Sequence, residues 1–389
     1  MYIKGTMKNT GLEFYNSSSN ELAYFKKDLN SNPFKILNFT DLHLHDGGAP
    51  PELVLTIMER YINIHLPDLV TITGDICLKK GEVKYIHLLN NMFTKLNQYY
   101  AITLGNHDGE RGNLNRADIT KLYASFPYCI TELGPSNIYG YGNQFVLIKD
   151  LEDNIQNCLV FMDSGDYIKN SYKQYGLKNV GHYDAIKHDQ IQWYIDNMNN
   201  IKADNNGVLP PSALFIHMAL PEYKIAYDIA TKQQAINKRR FCFRRKKLIT
   251  KTANLNASLL AGQRQEAECA PHINTGLFEQ LVKHNTSLVI CGHDHINDYV
   301  VEFNGVKLAF SLSLAYSAYN TRRRKKRHKR IPDDTHHTDG SSLIVPNKDG
   351  FQITHLYNQD HSQIFDGLDP FIEASTIDPL TLPKNFSIY

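Results

Sequence analysis

The sequence predicts an α/β fold, in which strands and helices alternate around a sheet of largely parallel strands. Three observations predict it. Residues 35–104 alternate three short apolar runs with two helical patterns, each run ends in a polar motif, and apolar runs in the second half also end in polar residues. Parallel strands joined by right-handed crossovers end at the same edge of a sheet, which is where open α/β sheets place their sites.

The first half supplies a βαβαβ run. Apolar residues at i, i+3 and i+4 spacing mark a helix that Pro50 and Pro51 would start. The predicted strands cover residues 35–40, 68–73 and 99–104, and the predicted helices lie near 53–62 and 82–97.

The second half repeats this logic less regularly. We expect one large domain rather than two: residues 1–30 form an N-terminal arm or hairpin, 31–356 the domain, and 357–389 an irregular tail. Polar, basic insertions interrupt the domain at 225–265 and 321–340. The predicted strands here are 142–149, 157–163, 212–216, 287–291, 298–303 and 307–312, with helices near 185–199 and 274–284.

Composition excludes several classes of protein. With 42% hydrophobic and 21% charged residues, the 389-residue chain is not intrinsically disordered. No apolar run approaches the length of a transmembrane helix, so no membrane span is expected. The first twenty residues lack a signal-peptide pattern, and the six cysteines are scattered without a CxxC motif. A cytoplasmic protein with reduced, buried thiols is the simplest interpretation.

The net charge of +2 conceals a segregation of charge. Residues 238–251 and 322–330 each carry eight Lys or Arg, which leaves 26 basic against 40 acidic residues elsewhere. Either basic run could contact a polyanion such as nucleic acid, anionic lipid or an acidic peptide, or could simply be solvated.

Metal-binding residue types occur in five clusters, most of them directly after a predicted strand: Asp41-Leu42-His43, Gly74-Asp75, Gly105-Asn106-His107-Asp108, His217 and Gly292-His293-Asp294-His295. Carboxylate, carboxamide and imidazole groups together suit hard or borderline divalent cations. Asp41 and His43 are one residue apart, so their side chains can point the same way, and Asp75 can bridge two cations. Two cations about 4 Å apart would leave room for a bridging water and a phosphate, and would lower the pKa of that water. The seven candidate ligands are Asp41, His43, Asp75, Asn106, His217, His293 and His295.

Taken together, these clusters resemble the calcineurin-like metallophosphoesterase superfamily. Asp163-Ser164-Gly165 and the segment 274–278 bring the resemblance closest to the purple-acid-phosphatase-like subgroup, and it covers roughly residues 33–320. It implies two mixed β-sheets packed face to face, flanked by helices, with a binuclear metal site at the carboxyl ends of the strands. It also implies hydrolysis of phosphoric esters, by in-line attack of a metal-bridging hydroxide.

The resemblance assigns a role to each residue. His107 would bind phosphate together with Asn106 and act as general acid toward the leaving group, while Asp108 would orient the His107 imidazole. One metal would be bound by Asp41, His43, Asp75 and His295, and the other by Asp75, Asn106, His217 and His293.

The sequence departs from the purple acid phosphatases at one position that affects which metals it can bind. Purple acid phosphatases place an iron-binding tyrosine three residues after the bridging aspartate, where this chain has Leu78. Mn, Zn and Fe therefore stay open as the metals. A phosphomonoesterase is expected, with a phosphodiesterase acting on cyclic nucleotides or nucleic acid, or a non-catalytic binding scaffold, as alternatives. His45 is expected to be an exposed loop residue. For His182 two alternatives stay open, a position within reach of the pocket and a position away from it.

Overall fold

A computed structural model describes residues 3–6, 11–18, 21–46, 50–78, 80–168, 182–239, 256–315 and 339–358. Most of both basic runs, and nearly all of the predicted tail, lie outside these residues. Within the described ranges, no helix combines the length and hydropathy that a bilayer span requires.

Fifteen strands and six helices are described. The helices are α1 (Pro51–His65), α2 (Glu82–Leu96), α3 (Arg116–Ala124), α4 (His188–Asp204), α5 (Glu222–Arg239) and α6 (Leu277–Lys283). The strands are β1 (Ile3–Thr6), β2 (Glu13–Tyr15), β3 (Ala23–Lys26), β4 (Ile36–Phe39), β5 (Leu69–Thr73), β6 (Tyr100–Thr103), β7 (Gln144–Lys149), β8 (Ile155–Phe161), β9 (Ser212–Phe215), β10 (Ala257–Ala261), β11 (Thr286–Cys291), β12 (Val300–Phe303), β13 (Val306–Phe310), β14 (Gly340–Asn347) and β15 (Gly350–Tyr357).

The strands form two mixed sheets. One has ten strands in the order β1-β2-β3-β7-β8-β9-β11-β13-β12-β10, and the other has five in the order β15-β14-β4-β5-β6. Strands β4, β5 and β6 are parallel, as are β8, β9, β11 and β13, while hairpins and edge strands add antiparallel pairs.

Alternating side chains divide the interior into three apolar clusters. Along β11, Leu288 and Ile290 face the core between the two sheets, and Val289 and Cys291 face the helices α4, α5 and α6. The five-stranded sheet packs its other face against α1, α2 and α3. This helix–sheet–sheet–helix arrangement confirms the predicted fold of two mixed sheets flanked by helices.

Several elements differ from the sequence-based expectation. The N-terminal segment was expected to be an arm or hairpin. Its strands β1, β2 and β3 pair antiparallel with one another, and β3 also pairs in parallel with β7, so the segment extends the large sheet. The hairpin β14–β15 was not predicted, although the turn at Asn347 to Gly350 is a strong local signal. The region 225–265 contains most of α5 and all of β10 rather than only a polar insertion.

The cysteines are largely buried. Cys77, Cys129, Cys158 and Cys291 lie in the interior and Cys269 is partly exposed, and no disulfide joins cysteines within the described residues. Cys242 lies outside them. A cytoplasmic location stays a prediction.

Candidate metal centre

The seven candidate ligands come from the carboxyl ends of strands in both sheets. Loops after β4, β5 and β6 supply Asp41, His43, Asp75 and Asn106, and loops after β9 and β11 supply the other three. Six of the seven fall into two groups whose ligand atoms lie within 4.8 Å of one another. The first group is Asp41, His43 and His295, and the second is Asp75, His217 and His293.

The first group is compact and buried. His43 Nε2 and His295 Nε2 are 3.0 Å apart, short enough for both to contact one cation at the Zn–N distance of about 2.1 Å. Asp41 Oδ1 lies 3.5 Å from His295 Nε2 and 3.7 Å from His43 Nε2. Its other oxygen accepts hydrogen bonds from the Thr40 hydroxyl and the His293 amide.

Asp75, a member of the second group, also approaches the first. Its Oδ2 is 3.4 Å from His217 Nε2 and 3.8 Å from His43 Nε2. Asn106 joins the second group, because its Oδ1 is 3.1 Å from His217 Nε2. On the far side of the ring, His217 Nδ1 lies 2.8 Å from the carbonyl oxygen of Thr73, which fixes the imidazole orientation.

The charges in the site favour cations. Burial and the neighbouring histidines lower the pKa of His43 and of His293 to about 3, so both rings are neutral at physiological pH and keep a lone pair for a metal. Burial alone would raise the pKa of Asp41, but His295 and His217 lower it to about 2. Burial would likewise lower the pKa of His217, yet Asp75 and Asp41 raise it to about 9, so a bound cation would displace that proton.

These residues fit a pair of divalent cations. Asp41 Oδ1 and His293 Nε2 are buried and make no hydrogen bond to any described residue, a costly state that a metal would relieve. Oxygen and imidazole donors of this kind suit Mn²⁺, Zn²⁺ or Fe²⁺.

Backbone conformation at the ligands is unusual and was not predicted. Asp41, His43, Asp75 and His293 have φ angles of 54°, 49°, 52° and 73°, in the left-handed region that non-glycine residues seldom adopt. Such strain accumulates at functional sites.

The glycines of the motifs have a steric explanation. A side chain at Gly292 would overlap Thr40 Oγ1 and Asp41 Oδ2, and one at Gly74 would overlap His217 Nδ1. The Gly-Asp and Gly-His spacing in the sequence therefore reflects how closely the loops approach the ligands.

The expected contact between Asp108 and His107 is wrong. Asp108 is buried and accepts hydrogen bonds from the amides of Gly105, Ile76 and Cys77. Glu110 instead contacts the imidazole, with Oε2 2.5 Å from His107 Nδ1. The His107 ring lies beside the first group, with its centroid 5.7 Å from that of His43.

Three further residues singled out in the sequence, His45, His182 and Leu78, lie around the ligand loops or in the segments next to them. His45 is buried rather than exposed, and its Nδ1 lies 2.8 Å from the carbonyl oxygen of His43. His182 is exposed. The backbone of Leu78, which occupies the position of the iron-binding tyrosine, pairs with Leu44 in the loop after β4.

Sequence reasoning also missed Arg116 and Tyr167. Arg116 donates to the carbonyl oxygen of Gly105 and to Asp163, so it joins the loops after β6 and β8. Tyr167 contacts Asn106. Neither residue lies in a metal-binding motif; Asp163-Ser164-Gly165, next to Tyr167, was the nearest signal.

The fold and the grouping of ligands define a metallophosphoesterase-type protein, and comparison with known families agrees. The model of the calcineurin-like phosphoesterase family matches residues 34–297, and the chain belongs to this family.

The chain is also similar to several named proteins. The chain is 27% identical to probable inactive purple acid phosphatase 29 of Arabidopsis thaliana, over 74% of this chain and 73% of that protein. It is also 27% identical to phosphatase DCR2 of Saccharomyces cerevisiae, over 68% of this chain but only 44% of that protein. Purple acid phosphatase PPD1 from yellow lupin seeds matches 87% of this chain and 54% of its own, at 11% identity and a TM-score of 0.42.

Proposed function

We propose that this protein is a metal-dependent phosphomonoesterase in which His107 protonates the leaving group. The observation that carries the proposal is the convergence of two ligand groups beside the His107 ring. Asp41, His43, Asp75 and His295 would hold one cation, and Asp75, Asn106, His217 and His293 the other. Such a pair, when bound, lowers the pKa of a water molecule and offsets the negative charge on the phosphoryl oxygens.

The chain's own groups would complete the chemistry. Glu110 contacts Nδ1 of His107, so Nε2 is the nitrogen left to pass a proton to the substrate. Asn106 and His107 would contact the phosphate. An alkoxide is a poor leaving group and needs this proton, whereas an acidic phenol does not.

The test is His107→Asn assayed on two monoesters. We expect hydrolysis of an alkyl phosphate such as glycerol 2-phosphate to fall by about 10²–10⁴-fold, because general acid catalysis contributes that much. Hydrolysis of p-nitrophenyl phosphate should fall far less. Equal losses on the two substrates would remove the acid role from His107.

The same assay with bis(p-nitrophenyl) phosphate separates monoesters from diesters. Faster hydrolysis of the diester than of p-nitrophenyl phosphate would replace the proposed activity with a phosphodiesterase. Metal content measured on the same samples would identify the cations.

A second candidate is a binding scaffold that keeps the metal site without turnover. It is favoured by the names of three Arabidopsis relatives, all called probable inactive purple acid phosphatases. Protein that binds two Mn²⁺ ions but hydrolyses none of the three esters would support the scaffold. Polyanion binding through residues 238–251 and 322–330, measured by its salt dependence, would then be the next assay.

A further inference from the structure

Two tyrosines flank the second ligand group and have no role in the chemistry proposed above. Tyr167 and Tyr183 pair as an isolated antiparallel bridge, and the amide of Ile168 donates to the carbonyl oxygen of His182 over 2.8 Å. The two rings consequently lie side by side, with centroids 5.9 Å apart and planes inclined by 28°.

Tyr167 acts through its hydroxyl. Asn106 Nδ2 donates a hydrogen bond to Tyr167 Oη over 2.8 Å, while Asn106 Oδ1 faces His217. A carboxamide can bind a cation only through its oxygen, because its nitrogen carries two hydrogens and offers no lone pair. With its Nδ2 bound to the Tyr167 hydroxyl, the Asn106 carboxamide presents Oδ1 to the second group.

Tyr183 acts through its ring. The ring stands edge-on to the imidazole of His293, with centroids 4.6 Å apart and planes at 86°. This contact restricts the imidazole plane and involves no hydroxyl. Together the two tyrosines hold Asn106 and His293, which are both members of the second group.

We propose that Tyr167 and Tyr183 are positioning residues that set the metal affinity of the second ligand group and not of the first. The contact of Tyr167 is polar and that of Tyr183 is apolar, so different substitutions should break them. The inference rests on the proposed use of these groups as metal sites.

Calorimetric titration of Mn²⁺ into the chelator-treated 389-residue chain tests the proposal. Tyr167→Phe should weaken one of two sites by about 10–100-fold, the usual cost of removing a group that orients a ligand, and leave the other unchanged. Tyr183→Phe should bind like the wild type, and Tyr183→Leu should weaken the same site as Tyr167→Phe. Tyr139→Phe is the matched control, because the Tyr139 hydroxyl donates to Asp184 and contacts no ligand.

Two backgrounds identify the weakened site. With His43→Ala removing the first group, Tyr167→Phe should weaken the remaining site; with His217→Ala removing the second, it should have no effect. Equal weakening of both sites, no change at either, or equal losses in Tyr183→Phe and Tyr183→Leu would overturn the proposal.

Turnover separates this result from the proposed function. Two-site binding with the expected tyrosine pattern but no ester hydrolysis would overturn the phosphomonoesterase and leave the positioning roles standing. Ester hydrolysis with unaltered Mn²⁺ binding in every tyrosine variant would overturn the positioning roles and leave the phosphomonoesterase standing.

Discussion

The two ligand groups are built in different ways. In the first group, Asp41 is held by the amide of His293 and the hydroxyl of Thr40, both within the loops that carry the ligands. In the second group, Asn106 depends on Tyr167, whose side chain comes from a separate loop after β8. The first group is thus held by residues of the ligand loops themselves, and the second also depends on a residue outside those loops.

Because the contacts that hold Asp41 come from the ligand loops themselves, we expect the first group to be the more preorganised of the two. A preorganised group pays less to order its ligands when a cation binds. We accordingly expect the first group to fill at lower metal concentration. Asp75, a member of the second group that also approaches the first, links the two.

Asp75→Asn should have the largest effect, because Asp75 Oδ2 approaches a histidine of each group, His43 and His217. We expect Mn²⁺ affinity to fall at both sites by more than the roughly 100-fold that loss of an orienting group can cost. The Asn carbonyl can still accept from the amide of His107, as Asp75 Oδ1 does now. Titration calorimetry measures the loss, with Asp184→Asn as the control; loss at a single site would show that Asp75 serves one group only.

Alanine substitutions at two glycines should each damage one ligand group and spare the other, because the added methyl group collides with a different ligand in each case. Gly292→Ala places a methyl group against Asp41 and should damage the first group, whereas Gly74→Ala presses on His217 and should damage the second. Overpacking of this kind costs about 1–3 kcal/mol of unfolding free energy. Urea unfolding and Mn²⁺ titration measure the two effects.

Gly207→Ala is the control for backbone strain in that series. Gly207 has φ of 79°, close to the 87° of Gly74, but a Cβ there meets no atom within 4 Å. It should lose only the roughly 1–2 kcal/mol cost of a left-handed conformation. A loss at Gly74 no greater than at Gly207 would contradict the steric explanation.

Glu110→Gln should have the smallest effect and should leave both groups intact. The carboxamide can still accept from His107 Nδ1, but a charge-assisted hydrogen bond is roughly twice as strong as a neutral one. We expect up to about a tenfold loss on an alkyl phosphate and little change on p-nitrophenyl phosphate. Glu59→Gln, which makes the same charge change in an ion pair with Lys95 between α1 and α2, is the control. A leaving-group-dependent loss in Asp108→Asn but not in Glu110→Gln would restore Asp108 as the partner.

The strands and the ligand order were predictable because both are local signals. Each apolar run of four to six residues ends where a polar motif begins, so β4, β5, β6, β9 and β11 and their ligands could be located together. Their convergence follows from parallel strands ending at one edge.

The supporting contacts were not predictable because they depend on tertiary structure. Asp108 turns away from His107 because three buried amides need an acceptor, and sequence adjacency carries no information about that demand. Tyr167 reaches Asn106 only through the fold of another loop. The N-terminal strands were missed as part of the sheet for the same reason, since β3 finds its partner in β7.

The pairing of β4 with β14 has a consequence for how the protein is made. Strand β4, which leads into Asp41 and His43, lies in its sheet between β5 and β14, and β14 is among the last described strands to be synthesised. Pairings between distant segments form slowly because a long loop must close first. During synthesis, the earliest ligands to emerge must therefore wait for β14, and metal supplied before that strand has emerged would find β4 without one of its two neighbours.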